Sequence, residues 1–172
     1  MTDPCQGCDA TCCAHYAIHV LPAEVEHIAA HLGRAPATFV ELEHESLSPE
    51  LPAAFLEGGP AQLALKRDPD TDACAFLDGA ARRCTIHAHR PYICRMYPFK
   101  VGDDGRFVLT LRQDRYCPGP FPLGDDEARV LREEARRFWT RDLDAYRVQV
   151  QRWNHGLPSG GLEAFLAFCR ER

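Results

Sequence analysis

The chain has 172 residues, 45% of them hydrophobic and 26% charged, with a formal net charge of −5, which suffices for one domain with a real core. Its bulk acidity argues against a general nucleic-acid binder. No run approaches the ~20 apolar residues of a membrane helix, and Met1 to Leu32 lacks the charged, apolar and cleavage regions of a secretory signal, so a cytoplasmic location without a membrane partner is expected.

The first stretch, "CQGCDATCC" at residues 5 to 13, puts four thiols into nine positions. Asp3 and Pro4 read as an N-cap and a helix-initiating proline, which predicts a short helix over residues 4 to 13. On that helix Cys5, Cys8 and Cys12 fall within roughly 60° of one another, and Cys13 points elsewhere. A non-helical loop could also gather the thiols. A second helix is expected from Pro22 to Leu32, where Leu21, Val25, Ile28 and Leu32 recur with helical spacing and Gly33 stops the pattern. A third is expected near Pro36, running through Phe39, Val40 and Leu42, and then loop from Ser46 to Pro60 around a short helical turn.

"QLALKRD" reads as a strand, and Asp78-Gly79 as a hairpin turn that makes Cys74 and Cys84 cross-strand neighbours. Arg90-Pro91 opens a helical turn that carries Cys94 and ends near Tyr97, before Pro98. Backbone N–H groups at its start would favour thiolate at Cys94. A second hairpin is expected around Asp104-Gly105, leading to Cys117. The longest helical pattern runs from Asp125 to about Trp153, with a kink or break at Phe138-Trp139 where the apolar stripe steps sideways. A last helix is expected from Leu162 to about Arg170. Together these elements predict an α+β fold: a small, mostly helical single domain with one or two short β-hairpins and a cysteine-ligated metal centre. Residues 1–120 would form the cysteine-cluster region, with C-terminal helices over 121–172 packed on it.

Nine cysteines in a reducing compartment read as metal-binding or catalytic before they read as disulfides. Cys169 shares a helical face with Leu162, Phe165 and Leu166 and reads as a core residue. The other eight, Cys5, Cys8, Cys12, Cys13, Cys74, Cys84, Cys94 and Cys117, are the expected metal ligands. A four-thiolate centre carries net negative charge, and "RRCTIHAHRPYICRMYPFK" supplies Arg82, Arg83, Arg90, Arg95 and Lys100 without an acidic residue. That segment could equally be a solvated basic patch, with nucleic-acid contact a distant third. His27 and His31 are spaced i,i+4, a metal-binding geometry, but the default reading is a solvated polar face. His15, His19, His87 and His89 sit nearer the cysteines, with His87 the first reserve ligand.

The ordered combination of Cys5-x2-Cys8-x3-Cys12-Cys13, "LPAEVEHIAAHLG", "CAFLD", "CTIH", "RPYICRMYPF" and "CPG" resembles the bacterial cysteine-cluster proteins described as zinc- or iron-chelating domains. The resemblance covers about residues 5 to 119 and implies metal chelation by the eight named cysteines. Members commonly have tyrosine where this chain has His87, so His87 is left out of the ligand set. Flagellin lysine-N-methylases carry a similar cluster associated with an iron–sulfur centre, which implies an enzyme alternative: methyl transfer or redox chemistry. No GxGxxG or independent catalytic constellation accompanies it. A redox sensor using Cys12 or Cys13 is a third reading. Between zinc and iron, the latter including a 4Fe-4S cluster, the lone CxxC and the methylase resemblance favour iron.

Overall fold

The computed structural model describes residues 10–101, 109–111, 124–156 and 160–171. The fold is α+β. Helix α1 covers Thr11–His15. Of the helix expected over 4 to 13, residues 4 to 9 lie outside the described residues; Ala10, with φ 53 and ψ 31, is left-handed, so α1 begins only after it. Helix α2 spans Pro22–Leu32 as its sequence predicts, with Pro22 opening it and Gly33, at φ 61, closing it. The Glu24 carboxylate turns back to accept the Leu21 N–H at 2.9 Å, and Val25 and Ile28 are buried.

The helix expected from Pro36 through Leu42 is a correction. Only Pro36–Thr38 forms a 3₁₀ turn, and Val40–Glu43 is strand β1. Its partner decides this: Val40 to Glu43 pair antiparallel with Leu65 to Gln62 of strand β3, Gly59–Leu65. The expected loop from Ser46 to Pro60 likewise contains strand β2, Ala54–Leu56, joined to β3 by a tight turn in which Gly58 and Gly59 have φ of 91 and 120. The sheet order is β1-β3-β2. Gln62, 2% exposed in the central strand, is fully satisfied: its amide donates to the carbonyls of Ser48 and Leu51 and accepts the Ser48 N–H.

Strands β4, Leu77–Asp78, and β5, Arg83–Cys84, form the expected hairpin in a different register. Cys84 faces Leu77, and Cys74 bridges Arg67 instead. The turn is wider than two residues because the Asp78 carboxylate accepts the N–H groups of Ala80 and Ala81 and Arg82 takes a left-handed φ of 52. After a 3₁₀ turn at His87–His89 comes α3, Tyr92–Met96, which ends before a cis Tyr97-Pro98 bond. Strands β6, Phe99–Val101, and β7, Leu109–Leu111, pair as a hairpin whose turn, with Asp104-Gly105, lies outside the described residues.

Helix α4, Asp125–Arg137, passes through a π-helical turn at Phe138–Asp142 into α5, Leu143–Gly156, and α6 is Leu162–Arg170. The sideways step of the apolar stripe has a packing cause. Phe138 and Trp139 touch both the main core, which joins α2, the three-stranded sheet, α5 and α6, and a smaller cluster in which Tyr92 and Met96 of α3 meet Ala135 of α4. Tyr92 stacks on Phe138 with ring centroids 3.9 Å apart. The edge strand β2 is covered by α5: Trp153 Nε1 donates to the Phe55 carbonyl at 2.8 Å, and Asn154 accepts the Phe55 N–H. Among the described residues no helix is long and apolar enough to cross a membrane.

Candidate metal centre

Cys12, Cys13, Cys74, Cys84 and Cys94 line one cavity. They arrive from α1, the segment before β4, β5 and α3. Cys5, Cys8 and Cys117 lie outside the described residues. Cys13 is a correction to the helical-face argument: it faces the same cavity as Cys12, with the two Sγ atoms 4.0 Å apart. Two sulfurs on one tetrahedral ion, each at ~2.3 Å, sit about 3.8 Å apart. Backbone bonds fix the convergence. The Cys74 N–H donates to the Cys13 carbonyl at 2.7 Å, and Arg67 holds the Ala14 carbonyl at 3.3 Å while its Nε grips Asp72.

The sulfurs sit among groups that favour negative charge. The Phe76 N–H donates to the Cys74 sulfur and the Ile86 N–H to the Cys84 sulfur, in each case from two residues on. Arg82, Arg83 and Arg90 line the same cavity. Arg90 is itself aimed by a 2.8 Å bond from Nε to the His87 carbonyl. Arg95 is turned away: it pairs with Glu134 at 3.1 Å and donates to the Arg90 carbonyl. The Lys100 side chain lies outside what is described.

Burial works against these donors. It pushes the Cys74 and Cys84 thiols up, and the Cys94 thiol well up, where charges on Cys74, Cys84 and Cys12 add to the effect. The expected helix-start thiolate at Cys94 therefore does not form on its own. Cys12 is the exception. The hydrogen bond from the Cys13 thiol, helped by N–H groups and Arg90, lowers it to about 7, and the same bond raises Cys13. The arrangement is four or more soft donors that stay protonated until a cation displaces their protons. Among the described residues no group of three donors is already drawn together tightly enough to hold an ion. The donor set, the sulfur-directed N–H groups and the guanidinium groups fit a thiolate-bound metal.

His19 and His87 also line the cavity, and burial lowers the His19 pKa. Cys169 is 8% exposed on α6, packed in the main core, as its helical face predicts. Sequence reasoning missed the sulfur-directed N–H groups of Phe76 and Ile86, although the shared pattern of cysteine, one residue, then a buried apolar residue in "CAF" and "CTI" is their trace.

The family described as "putative zinc- or iron-chelating domain", CxxCxxCC, matches residues 4–118. An uncharacterized protein of Methanocaldococcus jannaschii is 44% identical over 57 residues, covering 30% of each chain. This chain therefore spans about a third of that relative or less. No solved structure matches.

Proposed function

The chain belongs to this zinc- or iron-chelating family and binds metal, and on that premise we propose that Cys5, Cys8, Cys12, Cys13, Cys74, Cys84, Cys94 and Cys117 supply the thiolates for zinc or iron–sulfur centres of four thiolates each, with iron favoured over zinc. The observation that carries the reading is the meeting of five thiols from four segments in one cavity lined by Arg82, Arg83 and Arg90. Thiolate-only donors select iron–sulfur clusters or zinc over harder cations. The single CxxC, where a zinc ribbon would have two such pairs, supports iron. Bound there, the centre supplies a store of metal or electrons and a cross-link between distant segments.

On this reading residues 1–120 form the ligand-bearing region, the C-terminal helices over 121–172 pack on it, and the protein works in the reducing cytoplasm as a metal-binding protein for storage, delivery or the shaping of an interaction surface. Anaerobic purification followed by metal analysis and a visible spectrum tests it. The expected result is thiol-bound iron with a broad visible absorption that bleaches on reduction. Colourless protein with zinc in its place contradicts the iron assignment, and protein without any thiol-bound metal contradicts the ligand set.

A further inference from the structure

Away from the thiol cavity, α2 and the 3₁₀ turn His87–His89 bring three imidazoles together. His27 and His31 lie one helical turn apart on the exposed face of α2. His89 Nδ1 is 3.0 Å from His27 Nε2, and the His89 ring stacks on His31 with centroids 3.6 Å apart and planes 22° apart. We propose that His27, His31 and His89 form a second, thiol-free site for a divalent transition ion of the class that prefers imidazole, such as nickel or zinc.

The spacing supports it. Two nitrogens on one ion, each at ~2.0–2.1 Å, sit about 2.9–3.4 Å apart in octahedral or tetrahedral geometry. The 3.0 Å separation between His27 and His89 lies within that range, so an ion can replace the proton the two rings share, the donor ring giving that proton to solvent and taking one up at its other nitrogen so that both rings stay neutral. The backbone on both sides is fixed. The helix α2 buries Val25 and Ile28, and the turn is held by the His89 N–H on the Ile86 carbonyl at 2.8 Å, with Ile86 1% exposed.

Only side chains have to move. No three donors among the described residues already converge on one point, and ligation requires the exposed His31 ring to rotate off the His89 face, a change between staggered rotamers. Glu26, the acidic residue beside His27, is occupied by Arg170 at 2.7 Å, so water fills the remaining positions. The site is independent of the thiols, and its failure would leave their assignment untouched.

The test is calorimetric titration of Ni²⁺ into the full chain as purified, with whatever metal its thiols hold. The expected result is one additional ion per chain, bound at least tenfold more weakly by H31Q and lost in H27Q/H31Q/H89Q, with binding by H155Q and the thiol-bound metal content unchanged. Paramagnetic broadening in the unmutated protein reads the same site without a variant: the ring resonances of His27, His31 and His89 should broaden before those of His44 and His155. Equal uptake by the wild type and the triple variant, no additional ion, or broadening elsewhere first would overturn the proposal.

Discussion

The Glu24 carboxylate of α2 accepts the backbone N–H of Tyr92, the first residue of α3, at 2.6 Å while its other oxygen caps Leu21. One side chain thus ties the start of α2 to the helix that carries Cys94. Glu24→Gln keeps one acceptor and turns an amide donor toward the other N–H, an expected loss of about 1–3 kcal/mol at mildly acidic pH. Thermal unfolding measures it.

The same carboxyl gives a pH dependence with a definite sign. Burial raises its pKa above 4.5 despite the two N–H groups. Its favourable contribution to folding is therefore complete below the unfolded value and declines as pH rises through the folded one. Gln has no such slope. The stability of the wild type relative to E24Q should fall as pH rises above ~4.5, and a difference that grows with pH would contradict the assignment.

Metal uptake should release protons. In the metal-free chain burial keeps Cys74, Cys84 and Cys94 protonated at neutral pH, and ligation needs thiolates. Affinity should rise about tenfold per pH unit for each proton released. Competition with a chelator across pH ~6 to 8 reads this slope, and a flat profile would contradict the thiol ligands. In the metal-free protein, alkylation at Cys12 should rise with a midpoint near its pKa of about 7.

Burial raises the Cys84 and Cys94 thiols, and the Arg90 guanidinium opposes it there and at Cys12, drawing all three toward thiolate. Arg90→Gln removes that charge from beside an anionic centre. Metal should dissociate roughly fivefold more readily, on the order of 1 kcal/mol for one partly screened charge. Release to a chelator measures it, and Arg90→Lys should restore part of the loss.

The cysteines should divide into two classes. Cys169 is packed in the main core and is not among the cavity residues, so C169A should keep the full metal content at a stability cost of about 1–2 kcal/mol. Cys94→Ala should lose metal. Metal analysis of the two purified variants decides between them.

How much of this was legible in the sequence depends on where the deciding contact lies. Helix α2 carries its own start and stop in Pro22 and Gly33, and α6 carries its own apolar face, so both were readable locally. The break at Phe138-Trp139 was readable as a phase shift in the apolar stripe, though its cause, two separate packing partners, was not. Val40 and Leu42 suit a helix or a strand, and pairing with Leu65 and Leu63 selects the strand. The hairpin at Asp78 was readable but its register was not, because the Asp78 side chain and the left-handed Arg82 widen the turn. His89 joins His27 and His31 only through tertiary packing, which spacing within α2 does not encode.

X-ray absorption at the metal edge of protein purified without added metal tests ligation by the thiols most directly. The first coordination shell should be made only of sulfur at ~2.3 Å and should be lost when Cys84 or Cys94 is replaced by alanine. A first shell of nitrogen or oxygen at ~2.0–2.2 Å, or a sulfur shell that survives both substitutions, would contradict it.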